Sequence, residues 1–178
     1  CYHKEMGTWF QIQAWFEKMR EAFESEGYRS EGYIEAKKNI HDEFIGIRFT
    51  AKMVEKLADT MRERVAGVRA LEREIMQICV RRVKMPRTYF IKSFPGNETN
   101  LEWVTDELAT NPEYAETLER YVPAIQEIQS KLLEIQTSVV LPLPDLKEAN
   151  KRMLNGEAKA RKAKRDMTEA NLRLVISI

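Results

Sequence analysis

From Tyr114 to Ile135 the apolar residues recur in steps of four and three without a break: Tyr114, Leu118, Tyr121, Ile125, Ile128, Leu132 and Ile135. A strand cannot use that spacing, because its side chains change face at every residue. A helix brings all seven onto one narrow seam. A helix with such a seam persists only if another element covers it. The segment after Thr50 offers one. Val54, Met61, Val68 and Ile75 recur every seven residues, Leu57, Leu71 and Ile78 form a companion row, and Arg64 stands where an apolar residue is expected. The expected fold is all-α: a long antiparallel helix pair carrying shorter packed helices, with the N-terminal helices laid across it. No segment alternates as a half-buried strand would.

Local signals divide the rest of the chain. Thr8 with Gln11 reads as a capping box that opens a helix bearing Trp9, Ile12, Phe16, Met19 and Phe23, and Gly27 is its expected stop. A second helix is expected from Glu31 to about Ile45, ended near Gly46. Thr50 caps the long helix, which runs to about Val83. A short helix starts at Pro86 and ends before the turn Pro95-Gly96-Asn97. Thr99 and Glu102 read as the capping box of a helix from about Asn100. Asn111-Pro112 opens the seam helix, which Pro123 is expected to kink. Leu141-Pro142-Leu143-Pro144 reads as an extended linker. A short helix to about Leu154 is expected to stop at Asn155-Gly156, with a last helix beyond.

Composition excludes several classes. Hydrophobic residues make up 43% and charged residues 32% of 178, too much core material for a disordered chain. No apolar run approaches the ~20 residues of a membrane span. No two glycines have the spacing of a phosphate loop. His3 and His41 stand apart from any CxxC or HExxH, so no metal site is expected. His41 lies near Glu43, a pair that reads as a solvated helix face. No cofactor, small-molecule substrate or catalytic set is indicated. Two cysteines make no disulfide framework; Cys79 reads as a small core residue, and a reducing cytoplasm fits. The aromatic residues near the N-terminus read as core and not as a stacking platform, and Trp103 as a partial anchor for its short helix.

The net charge of +1 hides an uneven layout. Pro95 to Glu119 holds seven acids and no Lys or Arg, whereas Ile75 to Asn97 holds five basic residues and no acid. Lys147 to Arg173 holds nine basic residues against four acidic. Within this last stretch Lys159, Arg161, Lys162, Lys164 and Arg165 wrap more than one helix face. That pattern suits phosphates or an acidic partner surface, and equally a solvated helix. Ala160, Ala163, Met167, Ala170, Leu174 and Ile178 form an apolar stripe on the same helix, with Asn171 at its edge.

The segment GEAKARKAKRDMTEANLRLVISI, from Gly156 to Ile178, resembles the entry to conserved region 2 of bacterial primary sigma factors, the promoter-recognition subunits of RNA polymerase. ALEREIMQICVRRVKMPRTYFIKSFPGNETN, from Ala70, is similar to the non-conserved region upstream of it, and LKEANKRMLNGEAKAR joins the two. The resemblance is strong from about Thr50 to Ile178 and weak before that. It implies a helical non-conserved region over residues 1–141, and a linker with the first helices of region 2 over 142–178. It implies a function in promoter-specific transcription initiation. The piece would be an accessory module contacting the β′ subunit of core polymerase and the neighbourhood of the −10 element. Asn171 and Leu174 match family positions that help line a pocket for a flipped promoter base. Lys159, Arg161, Lys162, Lys164, Arg165 and Arg173 are the expected contacts to promoter DNA in the full protein. The apolar turn Leu174, Val175, Ile176 and Ile178 is expected to continue into further chain, and Cys1 stands where an initiating Met would. The rival reading is a helical protein–protein scaffold with no nucleic-acid role, docking through the acidic stretch or an apolar patch.

Overall fold

The computed structural model describes residues 2–176, with side-chain surroundings from residue 7 onward. Cys1, the His3 side chain and Ile178 lie outside the described residues. The elements are α1 (Tyr2–Ser25), α2 (Glu31–Ile45), α3 (Ala51–Gln77) continued by a π-turn (Ile78–Arg82), α4 (Arg87–Ser93), α5 (Trp103–Thr110), α6 (Pro112–Glu119), α7 (Val122–Val139) and α8 (Leu143–Ile176). The fold is all-α, with no strand among the described residues. No helix among them is long and apolar enough to cross a membrane.

The caps after Ser25 fall where side-chain chemistry puts them. Ser30 and Thr50 each accept a hydrogen bond at 3.3 Å, from the N–H of Tyr33 and of Met53. Gly27 takes φ +92°, which lets the chain reverse between α1 and α2. The expected start at Thr8 is overturned: α1 already runs from Tyr2. Lys4, Glu5 and Met6 are good helix formers, so a threonine with cap-like spacing stays inside the helix.

The α3–α7 pair is antiparallel. Arg64 Nη1 donates to Ser138 Oγ at 3.1 Å, and further along α3 Glu74 acts on Lys131, earlier in α7. Arg64 therefore sits at the pair's rim, exposed. Between the helices Val65, Val68, Ile75 and Cys79 meet Ile125, Ile128 and Leu132, and Leu118, Phe90, Phe94, Trp103, Leu143 and Leu146 complete the core. The packed face differs from the expected rows toward the start of α3. Ala58, Val65 and Cys79 are buried and Leu71 and Ile78 pack half-buried against the core, whereas Leu57 of the companion row is 54% and Val54 of the seven-residue row 53% exposed. Small side chains permit close helix approach but barely register as a hydrophobic stripe.

Proline and amide chemistry explains the other differences. Instead of kinking one helix, Pro123 stands in the first turn of α7, where no N–H is needed, and the chain breaks between α6 and α7 at Arg120–Tyr121. The seam survives the break: Leu118, Ile125, Ile128 and Leu132 are buried, and Tyr114, Tyr121 and Ile135 half-buried. The Thr99 capping box does not form. The Oδ1 of Asn100 accepts from the Glu102 N–H at 3.1 Å and α5 starts at Trp103. Trp103 is fully inside, against Phe94 and Phe90 with ring centroids 5.0 and 6.1 Å away. Gln129, 0% exposed in the middle of α7, donates through Nε2 to the Asn97 carbonyl at 3.1 Å and the Asn100 carbonyl at 2.8 Å.

The expected linker is a tight turn. Val140 takes the left-handed region (φ +53°), and α8 begins at Leu143 with Pro144 in its first turn. Tyr33 Oη donates to the Val140 carbonyl at 3.0 Å, and Met19, Ala22 and Ala36 gather with Tyr33 and Val140 in a second, smaller core. The N-terminal hairpin thus docks on the α7–α8 turn, and Arg20 and Glu24 of α1 border a groove with Ser130, Leu133 and Thr137 of α7. Finally, Asn155-Gly156 ends nothing: α8 is one helix of 34 residues. Gly156 meets no neighbour within 4 Å, so Gly156→Ala should raise stability by about 0.5–1 kcal/mol, read as a higher melting temperature by circular dichroism.

Candidate nucleic-acid interface

All eight residues singled out in the sequence lie on α8, so its seating decides what they can do. Leu143, Leu146 and Asn150 are buried against the core. Lys147 Nζ reaches Glu72 Oε1 at 2.5 Å, and Arg62 holds Glu157 with two hydrogen bonds while also pairing with Asp59. The hydrogen bonding it donates to Glu157 is the main cause that holds the Arg62 guanidinium above its ordinary pKa. The two pairs run in opposite order along α3 and α8, so these helices are antiparallel as well. These anchors escape sequence reasoning, because nothing local marks partners 75 and 95 residues apart.

Beyond Glu157 the helix leaves the body. Every described side chain from Ala158 to Ile176 is exposed. At 1.5 Å per residue this arm projects about 30 Å. Lys159, Arg161, Lys162, Lys164, Arg165 and Arg173 make no ion pair with any described residue. Asp166, Glu169, Ala170, Arg173 and Leu174 border a shallow groove along the arm. Asn171 and Leu174 are neighbours one turn apart, both exposed, with Leu174 at 64%. The structure therefore gathers the predicted residues on one projecting rod, not around a closed pocket.

The arm's apolar stripe does not continue the face that α8 packs on α3. With 3.6 residues per turn, the line of Ala160, Ala163, Met167, Ala170 and Leu174 is rotated by about 100° from that of Leu143, Leu146, Asn150 and Glu157. The distal half thus turns its apolar line in a different direction from the seated half. Val175 and Ile176, 72% and 83% exposed, add to its bare apolar surface. Such surface should drive self-association. Val175→Ser with Ile176→Ser is expected to shift the chain toward monomer in sedimentation velocity at high concentration; a parent chain already monomeric there would contradict this.

Sequence reasoning also missed a polar cluster inside the body. Glu107, 6% exposed, accepts hydrogen bonds at Oε2 from Tyr89 Oη at 3.0 Å and Asn111 Nδ2 at 2.9 Å. The acidic composition of its stretch reads as solvated surface, and nothing distinguishes this carboxylate from the exposed Asp106 beside it.

The sequence itself has relatives. The model of the family described as "Sigma-70, non-essential region" matches residues 5–136, and the chain belongs to that family. The chain is also 36% identical over 175 residues to the RNA polymerase sigma factor RpoD of Neisseria gonorrhoeae, an alignment covering 98% of this chain and 27% of that protein. The resemblance thus extends well before Thr50, through both N-terminal helices.

Proposed function

We propose that this chain is the part of a primary sigma factor that joins the non-essential region to conserved region 2, and that it serves promoter-specific transcription initiation. In this reading residues 1–141 are an accessory module on core RNA polymerase, touching β′ near the −10 element. Residues 142–178 lead into region 2. The observation that carries the reading is the α8 arm: a basic segment and then an apolar stripe, with the described side chains exposed to solvent, on a chain of this family. Its cations serve phosphates or an acidic polymerase surface, where they displace counterions. Asn171 and Leu174 contribute to a pocket for a flipped promoter base once the remainder of that pocket is present.

The test is retention of core RNA polymerase by the immobilised chain at low and moderate salt. Retention that weakens on reversing Lys159, Arg161, Lys162, Lys164 and Arg165 supports the arm as the contact. Retention lost instead on reversing the exposed acids Asp106, Glu113, Glu116 and Glu119 favours the scaffold reading. Absence of retention at low salt counts against a polymerase contact within this chain.

A further inference from the structure

A second concentration of uncompensated positive charge on the described surface lies away from the arm. The π-turn ends in Arg81 and Arg82, Lys84 follows in the left-handed region (φ +66°), and Arg87 opens α4. All four are exposed, and none makes an ion pair with a described residue, unlike Arg62, Arg120, Lys131 and Lys147. No acid occurs from Ile75 to Asn97, whereas Asp166 and Glu169 interrupt the arm's cations.

The backbone sets these cations outward. Widening the helix into a π-turn ends α3, and the Met85 N–H closes it on the Cys79 carbonyl at 3.0 Å. Val83 and Met85 alternate inward, 2% and 1% exposed, so that Arg82 and Lys84 must alternate outward. A non-glycine residue at positive φ and a π-turn are both unfavourable features that recur at functional sites.

We propose that Arg81, Arg82, Lys84 and Arg87 form a knob that grips the phosphates of duplex DNA. This deepens the reading above and rests on it. A protein partner is disfavoured because residues 81–88 expose no large apolar side chain, and protein interfaces have an apolar centre. The nearest such side chain is Ile91, a turn further along α4. Single strands are disfavoured because the aromatic rings here face inward: Phe90 stacks on Phe94, and Tyr89 is tied to Glu107. The knob follows the C-terminal end of α3, whereas the arm leaves α3 near its middle, at Arg62. Along that helix, Arg82 is about 30 Å from the Arg62–Glu157 pair at the base of the arm. The two basic surfaces therefore grip separate stretches of a duplex.

The experiment titrates a fluorescent 30-base-pair duplex with the 178-residue chain across a salt series, measuring anisotropy. Three forms are compared: the parent, a knob variant (R81Q, R82Q, K84Q, R87Q) and an arm variant (K159Q, R161Q, K162Q, K164Q, R165Q). Each lost phosphate contact lowers the slope of log K against log salt by about 0.9, so the knob variant should flatten it by about 3–4. Its affinity at low salt should fall at least tenfold. Single R82Q and R87Q chains should each flatten the slope by about 1, which guards against misfolding of the quadruple variant. An unchanged slope in the knob variant, or loss confined to the arm variant, overturns the proposal. So does an unchanged slope accompanied by weaker retention of core polymerase, which would mark the knob as a protein contact. Failure of the parent chain to retain polymerase would count against the wider reading and leaves the DNA titration to decide the knob separately.

Discussion

Gln129→Ala should destabilise the chain by about 3–5 kcal/mol in urea unfolding followed by circular dichroism. The amide lies at 0% exposure in the centre of α7, and its Nε2 satisfies two loop carbonyls at once. Truncation leaves both carbonyls without their donor, opens a void beneath the Pro95–Glu102 loop, and releases the segment that positions Trp103. Gln126→Ala is the matched control. Its Nε2 also bonds a loop carbonyl, Leu101 at 3.1 Å, but in an exposed setting where water substitutes. It should cost less than about 1 kcal/mol. Gln129→Leu separates the two contributions. It fills the space and removes the Gln129 Oε1, which is buried without a partner, but it cannot donate. Its cost should therefore fall between those of the other two. Equal, small losses for Gln129→Ala and Gln126→Ala would show that the loop is held by its own turns.

Raising the pH should unfold the chain from about pH 9 upward, with Cys79 a main cause. Burial, and secondarily the Glu107 charge, push its thiol up from 9.0 to about 12. Burial and Glu107 likewise push the Tyr114 hydroxyl up from 10.0 to about 12. Both groups hold their protons more tightly when folded. The stability they contribute is thus complete below the unfolded values and is lost as pH rises through the interval up to the folded ones. For the fully enclosed thiol, three units correspond to on the order of 4 kcal/mol at the top of that interval. Cys79→Ala lowers stability at neutral pH by removing a packed side chain, yet should flatten the decline between pH 9 and 12. A parallel decline in parent and variant would assign the alkaline transition to other groups. The folded thiol should also resist alkylation at pH 8, where the unfolded chain reacts.

Much of the fold is legible where a signal is local. The helix ends at Gly27, Ser30 and Thr50 follow from one side chain or one dihedral, and the seam from Tyr114 to Ile135 survives a chain break because its spacing does. What escapes is set by partners distant in sequence. Asn155-Gly156 reads as a stop, but the helix runs through it, since an exposed Gly costs only about 1 kcal/mol in a helix and no capping geometry forms to exploit it. Glu107 and Gln129 look like surface residues until Tyr89, Asn111 and the loop carbonyls are placed against them. The cations of the arm were legible as a run, and those of the knob as an acid-free stretch. The π-turn that presents the knob's cations has no sequence signature at all.

The seating of α8 makes it a lever. Its inner limb is clamped to α3 by two charged grips on opposite turns, and the unbroken helix gives the outer limb no hinge. A tilt of about 5° at the base would swing the tip by about 2–3 Å. A partner that captures the tip therefore pulls on Lys147, Asn150 and Leu146, and through them on the Val140 corner that holds the N-terminal hairpin by Tyr33. Load applied at one extremity of the molecule would be felt at the other without any change in secondary structure.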